Sequence, residues 1–250
     1  MRKELIASLS MLGSLAASGA AAAQTCATPP SCETLGFTKS ETDCDGLEAL
    51  KCPFDQSKLY CPQGGGNMSA AAPGAILYSD GTISDSVIAS KTPVGIVAYV
   101  NGSTGFAVAL TESNQTWGGY GYNVSCLGDM DSGAASADMN GRVNTQCLVS
   151  DSQTHPAANY CNTFSAVSSG KGSSGWYLPA AGELKAMSYS YGAINLGLQK
   201  LSKTQISSSY YWSSSEYYYR TAWTVRPSDG GMSSTGNKTN SRPVRCVIAL

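Results

Sequence analysis

The 250-residue chain has only 13% charged residues and a formal net charge of −1. It therefore lacks the strong basic field on which nucleic-acid binding ordinarily depends. A hydrophobic share of 42%, with 27 glycines and nine cysteines, suits a compact, turn-rich, cross-linked protein rather than a disordered chain.

Residues 1–23 read as a secretory signal: Arg2 and Lys3 supply the basic start, Leu5 to Ala17 a mostly apolar stretch, and Ala21-Ala22-Ala23 the small-residue cleavage site before Gln24. Ser8, Ser10, Gly13 and Ser14 dilute the apolar stretch, so a retained membrane span is the weaker alternative. No later stretch is long and apolar enough to span a bilayer. Gln24-Thr25 before Cys26 does not suit a lipoprotein-type cysteine either. The expectation is an exported protein, periplasmic, at the cell surface or extracellular, in which cysteines persist as disulfides.

Cysteine distribution then divides the mature chain. Cys26, Cys32, Cys44, Cys52 and Cys61 crowd into residues 24–63, whereas Cys126, Cys147, Cys161 and Cys246 are spread over the rest. A module of that size cannot bury a stabilising core, so 24–63 is expected to be a small Cys-rich unit held by disulfides, with a helical turn at Leu47 to Leu50. Zinc is not expected there, because the spacing lacks a C-x-x-C pair and His155, the sole histidine, is distant. The odd cysteine count leaves one thiol unpaired or intermolecular, with Cys26 as the candidate. Residues 64–73, from Gly64-Gly65-Gly66 to Pro73, break all periodicity and read as a flexible linker.

The domain at 74–250 opens with β signals. Ala75 to Tyr78 and Thr82-Ile83 form a hairpin around Asp80-Gly81, which supplies the positive φ of a tight turn. Pro93 to Val100 and Gly105 to Leu110 form a second strand pair, apolar enough to enter a sheet core. From Trp117 to Asn144 the Gly/Ser/Asp-rich composition predicts a long irregular loop. A helix capped by Asp151 or Ser152 and limited by Pro156 is expected to run to Val167. A second follows Pro179 with Leu184, Met187 and Tyr191 on its buried stripe, and a third covers Ile194 to Leu201. Strands return at Ser209 to Ser215, Ala222 to Arg226 and Arg242 to Ala249. Two to three helices between β segments predict an α+β domain with a mixed or antiparallel sheet.

No catalytic set, metal or cofactor is expected. His155 precedes Pro156 at a helix start, where exposure or capping is the ordinary role. Asp129, Asp131, Asp138 and Asn140 are close together, but they lack the alternation and terminal glutamate of an EF-hand and read as solvated loop acids. Gly64-Gly65-Gly66 has no following Lys-Ser/Thr, so it is not a phosphate cradle.

Four motifs stand in order near the C-terminus: Gly175-Trp176-Tyr177-Leu178-Pro179 with Gly182-Glu183-Leu184; Tyr211-Trp212-Ser213-Ser214-Ser215-Glu216; Ala222-Trp223; and Arg242-Pro243-Val244-Arg245-Cys246-Val247. Taken singly, their tryptophans are most simply core residues. Together the motifs resemble the Lcl C-terminal domain family of bacterial collagen-like adhesins. That resemblance implies a C-type-lectin-like fold, in which a first-helix cysteine is tied to the last strand; Cys161 with Cys246 fits that role and leaves Cys126 with Cys147. Calcium-dependent sugar binding is not carried over, because neither Glu-Pro-Asn nor Gln-Pro-Asp occurs. The stretch Gly175 to Leu184 is also similar to formylglycine-generating-type enzymes, but their close redox cysteine pair is missing.

The resemblance implies adhesin-like recognition of a glycan, an anionic polysaccharide or another polymer. The candidate surface is the segment Glu216 to Arg220, with Tyr217, Tyr218 and Tyr219 as stacking platforms, Arg220 as an anion contact, and Arg226, Lys238 and Arg242 extending the patch. The alternatives are tyrosines partly buried at a strand edge, and a structural envelope or pilus component that packs against other protein subunits, as an oligomer or otherwise. Side chains on an extended strand alternate between its faces, so the three tyrosines cannot all enter one core.

Overall fold

The computed structural model describes residues 72–250 apart from Ser103, together with the backbone of three earlier strands, Phe37–Lys39 (β1), Leu50–Cys52 (β2) and Asp55–Pro62 (β3). The chain divides into two compact units, residues 1–67 and 68–250. In the first, β3 lies between β1 and β2 in an antiparallel sheet. Leu50 pairs with Tyr60 there as a strand residue, where a helical turn from Leu47 to Leu50 was expected; residues 47–49 of that turn lie outside the described residues. The signal segment, the pairing of the five early cysteines and most of the linker lie outside the described residues.

The second unit is α+β. Its main sheet combines the hairpin of Ile76–Tyr78 (β4) and Ile83–Ser84 (β5) with Pro93–Asn101 (β6) and Thr104–Ala109 (β7). A short strand, Ser113–Thr116 (β8), then leaves the sheet. Three helices follow: Ser132–Ala137 (α1), Gly141–Ser150 (α2) and Pro156–Thr163 (α3). Trp176–Tyr177 (β9) precedes Ala181–Met187 (α4) and Tyr191–Lys200 (α5). The chain ends with Tyr211–Tyr218 (β10), Thr221–Arg226 (β11), Gly231–Asn237 (β12), Ser241–Val244 (β13) and Val247–Ala249 (β14).

The six-stranded sheet has the order β5-β4-β6-β7-β14-β9, all antiparallel, so the C-terminal strand lies between β7 and β9. Both faces are covered, which explains why β6 and β7 read as nearly continuous apolar runs. Ile76, Ile96, Phe106, Val108 and Val247 pack with Leu184, Met187, Ile194 and Leu198 of α4 and α5. Leu77, Val94, Ala107, Ala109 and Ile248 pack with Leu148, Ala157, Ala158 and Trp176 in a second cluster that includes α2 and α3. Strands β10, β11 and β12 form a separate sheet, and β13 pairs only with β8.

Two disulfides cross-link this unit: Cys161 of α3 to Cys246 before β14, at a Cα separation of 5.3 Å, and Cys126 to Cys147 of α2, at 6.0 Å. The second pair fastens a region that composition had marked as loop.

Several elements differ from expectation. The stretch read as irregular to Asn144 contains α1 and the start of α2. Helix α2 buries Gly141, Asn144, Thr145 and Leu148 while Val143 and Val149 stay exposed, so it has no apolar stripe to read. Gly141 is required by close approach, because a Cβ there would lie 2.2 Å from Glu183 Oε2. Helix α3 begins at Pro156 and ends at Thr163, without the turn expected to Val167. Strands β8 and β12 are polar and β9 spans two residues, too little pattern for a period-2 signal. The strand expected from Arg242 to Ala249 is split at Arg245-Cys246 because its halves join different sheets.

The Cys161–Cys246 bridge closes a sequence separation of 85 residues. In the chain-entropy estimate its removal destabilises by about 4 kcal/mol. Denaturant unfolding of a Cys161→Ala/Cys246→Ala variant is expected to show that loss, whereas Cys126→Ala/Cys147→Ala, closing 21 residues, should cost less.

Candidate functional site

The tyrosine-bearing segment is built on the β10–β11 hairpin. Its register pairs Tyr211 with Val225, Trp212 with Thr224, Glu216 with Ala222 and Tyr218 with Thr221, with irregularities on both sides of Glu216. Bulges disrupt simple alternation. As a result Tyr211 to Glu216 is continuously buried, and only Tyr217 and Tyr218 at the end of β10 emerge. Glu216, expected at a surface loop, is therefore an interior strand residue.

The motif tryptophans fill the core with their polar edges satisfied. Indole N–H groups donate from Trp176 to Gly172 O, from Trp212 to Gln115 O and from Trp223 to Met130 O, all within 2.8–3.0 Å. The serines also point to structure. Ser213 Oγ donates to Trp223 O at 2.7 Å, and Ser215 Oγ donates to Asp138 Oδ2 at 2.6 Å while accepting from Ala181 N at 2.9 Å. Asn144 Nδ2 gives the same Asp138 oxygen another hydrogen bond, at 2.8 Å. Asp138, expected as a solvated loop acid, is thus buried because this network answers its charge.

Glu183 stands beside that network in the first turn of α4. Its Oε2 accepts from Ala180 N at 2.8 Å and its Oε1 accepts from Tyr177 OH at 3.1 Å. Burial pushes the carboxyl up to about 7, and burial together with the nearby glutamate raises the Tyr177 phenol as well. The preceding Gly182 allows α4 to approach Asp138, since a Cβ would come within 2.4 Å of its carbonyl oxygen.

Lys238 lies beneath the tyrosine segment rather than in a ligand patch. It is fully buried and forms an ion pair with Glu216, also fully buried. Its ammonium further donates to Tyr122 O at 2.9 Å and Tyr219 O at 3.3 Å, and lies 4.7 Å from the Trp117 ring centroid. The second Glu216 oxygen accepts from Val124 N at 2.9 Å. Burial raises the Glu216 pKa and lowers that of Lys238, each opposed by the partner's charge. Backbone contacts Gly121 N to Tyr219 O and Lys238 N to Arg220 O close the same junction. Lys238 is not part of the surface patch expected of it, because tertiary packing turns its side chain inward, where all three ammonium hydrogens have acceptors.

This junction presents one aromatic face. Tyr120, Tyr122, Tyr217 and Tyr218 are 43%, 58%, 40% and 49% exposed, while Tyr219 is half-buried. Arg220 stacks over Tyr219 at 4.9 Å and Tyr120 at 5.8 Å. Tyr218 meets Tyr219 edge-on at 4.6 Å, and Tyr217 rests edge-on against buried Trp223 at 5.3 Å. Tyr120 and Tyr122 join the face from a segment whose glycines marked only a loop; their aromatic–glycine alternation was the available signal.

The other predicted cations lie elsewhere. Arg226 ends β11, about 17 Å along the strand from Thr221 at ordinary rise, and is paired with Asp229 at 2.6 Å. Arg242, on β13, stacks over Trp212 at 5.4 Å. His155, expected to be exposed or to cap a helix, is buried edge-on against Trp117 and shares a 2.9 Å hydrogen bond with Asp151. Among the described residues no group of three or more His, Cys, Asp or Glu is arranged to hold a metal ion.

No family model and no curated protein matches the chain. A solved structure of a fimbrial protein from Bacteroides ovatus ATCC 8483 is similar in fold, with 20% sequence identity and a TM-score of 0.55 over 70% of this chain. The match covers 48% of that structure, so this chain spans about half its length.

Two expected outcomes test the buried groups. Lys238→Met leaves Glu216 without its cation and should destabilise by about 3–5 kcal/mol, whereas adding Glu216→Gln should restore much of the loss; denaturant unfolding of both variants measures this. The raised Glu183 pKa means the folded state binds that proton more tightly. Its contribution is complete below the ordinary glutamate value of 4.5 and is lost as pH rises through about 7. Relative to Glu183→Gln, the parent should lose about 3 kcal/mol between those limits, read from unfolding free energies across pH.

Proposed function

We propose that residues 74–250 form a C-type-lectin-like, non-enzymatic binding domain of an exported or surface protein, recognising a glycan or related polymer through Tyr217, Tyr218, Tyr219 and Arg220, with Tyr120 and Tyr122 added. The observation that carries this proposal is the gathering of exposed tyrosines and a stacked arginine, without an ion pair among the described residues, above the buried Lys238–Glu216 pair. Aromatic rings of this kind offer amphipathic area at low conformational cost, and sugars present matching apolar C–H faces and hydroxyls. Export is supported by the signal-like N-terminus and by the two disulfides. The non-enzymatic reading is supported by the inward direction of Asp138, His155 and Glu183, whose hydrogen bonds serve the fold.

A second reading follows from the fimbrial neighbour: a structural envelope or pilus component in which the tyrosine face meets another protein subunit. Sedimentation of the mature chain separates the two, since concentration-dependent association lost on changing the tyrosines favours assembly.

For the binding reading, a glycan and polysaccharide array is run with and without chelator. Tyr218→Ala/Arg220→Ala is expected to reduce binding at least tenfold while moving the melting temperature by only a few degrees, because exposed substitutions usually cost under about 0.5 kcal/mol. A stable double variant with full affinity removes this site.

A further inference from the structure

A cleft of about 470 Å³ opens beside the tyrosine face, lined by Asp129, Met130, Asp131, Tyr217 and Tyr218. Its walls are held in place. Tyr217 rests on buried Trp223, whose indole N–H donates to Met130 O at 2.9 Å, and Met130 N donates to Glu216 O at 3.3 Å. The acidic segment is thereby clamped to the strand that carries the tyrosines.

The charged side chains that line this cleft are both carboxylates. Asp129 and Asp131 are exposed and have no ion pair among the described residues. Asp131 uses Oδ1 to accept from Ala134 N at 2.8 Å at the start of α1, which fixes the carboxylate and leaves its negative charge unneutralised. The nearby cation, Lys238, is buried and already balanced by Glu216. Tyrosine faces add the negative side of their quadrupoles. An anion is therefore disfavoured there, while an ammonium gains carboxylate attraction and cation–π contact together.

Resting on the glycan-binding reading and deepening it, we propose that this cleft receives the protonated amino group of an amine-bearing sugar, between Asp129 and Asp131 on one side and Tyr217 and Tyr218 on the other. The ring and hydroxyls of the same glycan extend over the neighbouring tyrosine face. Arg220, stacked on Tyr219 and Tyr120, is not among the residues lining the cleft. The ligand class is a free-amine hexosamine polymer rather than a sulfated or carboxylated one.

Calorimetric titration with glucosamine oligosaccharides and with their fully N-acetylated counterparts tests the assignment, in chelator and under mildly acidic conditions that keep the sugar amine protonated. The free-amine oligomer should bind at least tenfold more tightly, with an affinity that falls as salt rises. Asp129→Asn/Asp131→Asn should abolish that preference without lowering the melting temperature, because asparagine remains a good N-cap at position 131. Equal binding of the two oligomers, a preference that survives the double substitution, or no binding of the free-amine oligomer would each overturn the proposal. If neutral glycans still bind in a Tyr218-dependent manner in those cases, the broader reading stands; if no saccharide binds at all, both fail. Binding that appears only when calcium replaces the chelator assigns the carboxylates to a metal and also overturns it.

Discussion

A lysine ammonium can remain in a protein interior only if its charge is balanced and its hydrogens are accepted; otherwise desolvation costs several kcal/mol. Lys238 meets both conditions through Glu216, Tyr122 O and Tyr219 O. Those acceptors come from β10, the turn after it and the 117–124 segment, so satisfying one charge fixes three pieces of chain. The tyrosine face depends on that arrangement. Gly121 N on Tyr219 O and the buried Trp117 indole on Ser213 O join it in holding the segment that carries Tyr120 and Tyr122 against the hairpin. Such pairs add little net stability compared with apolar packing, and their value lies in defining one geometry.

A second buried polar system acts similarly around Ser215 of β10. Asp138, Ser215, Asn144 and the Ala181 N–H join the α1–α2 corner, the strand and the N-terminus of α4. Glu183 and Tyr177 continue it toward β9. Glycines at 141 and 182 permit these approaches, where any side chain would meet a carbonyl or carboxylate oxygen. The ordered motifs thus describe the supports of the domain more than the proposed recognition surface. Trp176, Trp212 and Trp223 belong to the same scaffold, each with its indole hydrogen on a backbone carbonyl.

The proposed recognition surface lies at the margins of that scaffold. Tyr217 and Tyr218 occupy the last two positions of a strand whose preceding six residues are buried, so a short change in strand geometry converts a structural element into a display element. The same hairpin that exposes them brings the Asp129 to Asp131 segment alongside through Trp223. A rigid aromatic surface with acidic neighbours follows from packing that is otherwise structural.

From sequence alone, the apolar runs of β4, β6 and β7, the Asp80-Gly81 turn, the helices near 181–200 and the α+β class were legible, because each rests on local periodicity or turn chemistry. Alternation predicted that at least one of the three tyrosines stays exposed, but the exposure arises at the strand's end, where Tyr217 and Tyr218 emerge together after six buried residues. Helices α1 and α2 were hidden by small and polar buried faces, and β12 by its serine and glycine content. Lys238, Asp138 and His155 read as surface groups because charge and polarity predict exposure unless a distant partner is present. Only the tertiary structure supplies those partners: Glu216 for Lys238, Ser215 for Asp138 and Trp117 for His155 are far away in sequence or unmarked by any spacing. Local pattern determined where the chain could bury itself, and long-range hydrogen bonding decided which polar groups went inside and which tyrosines stayed out.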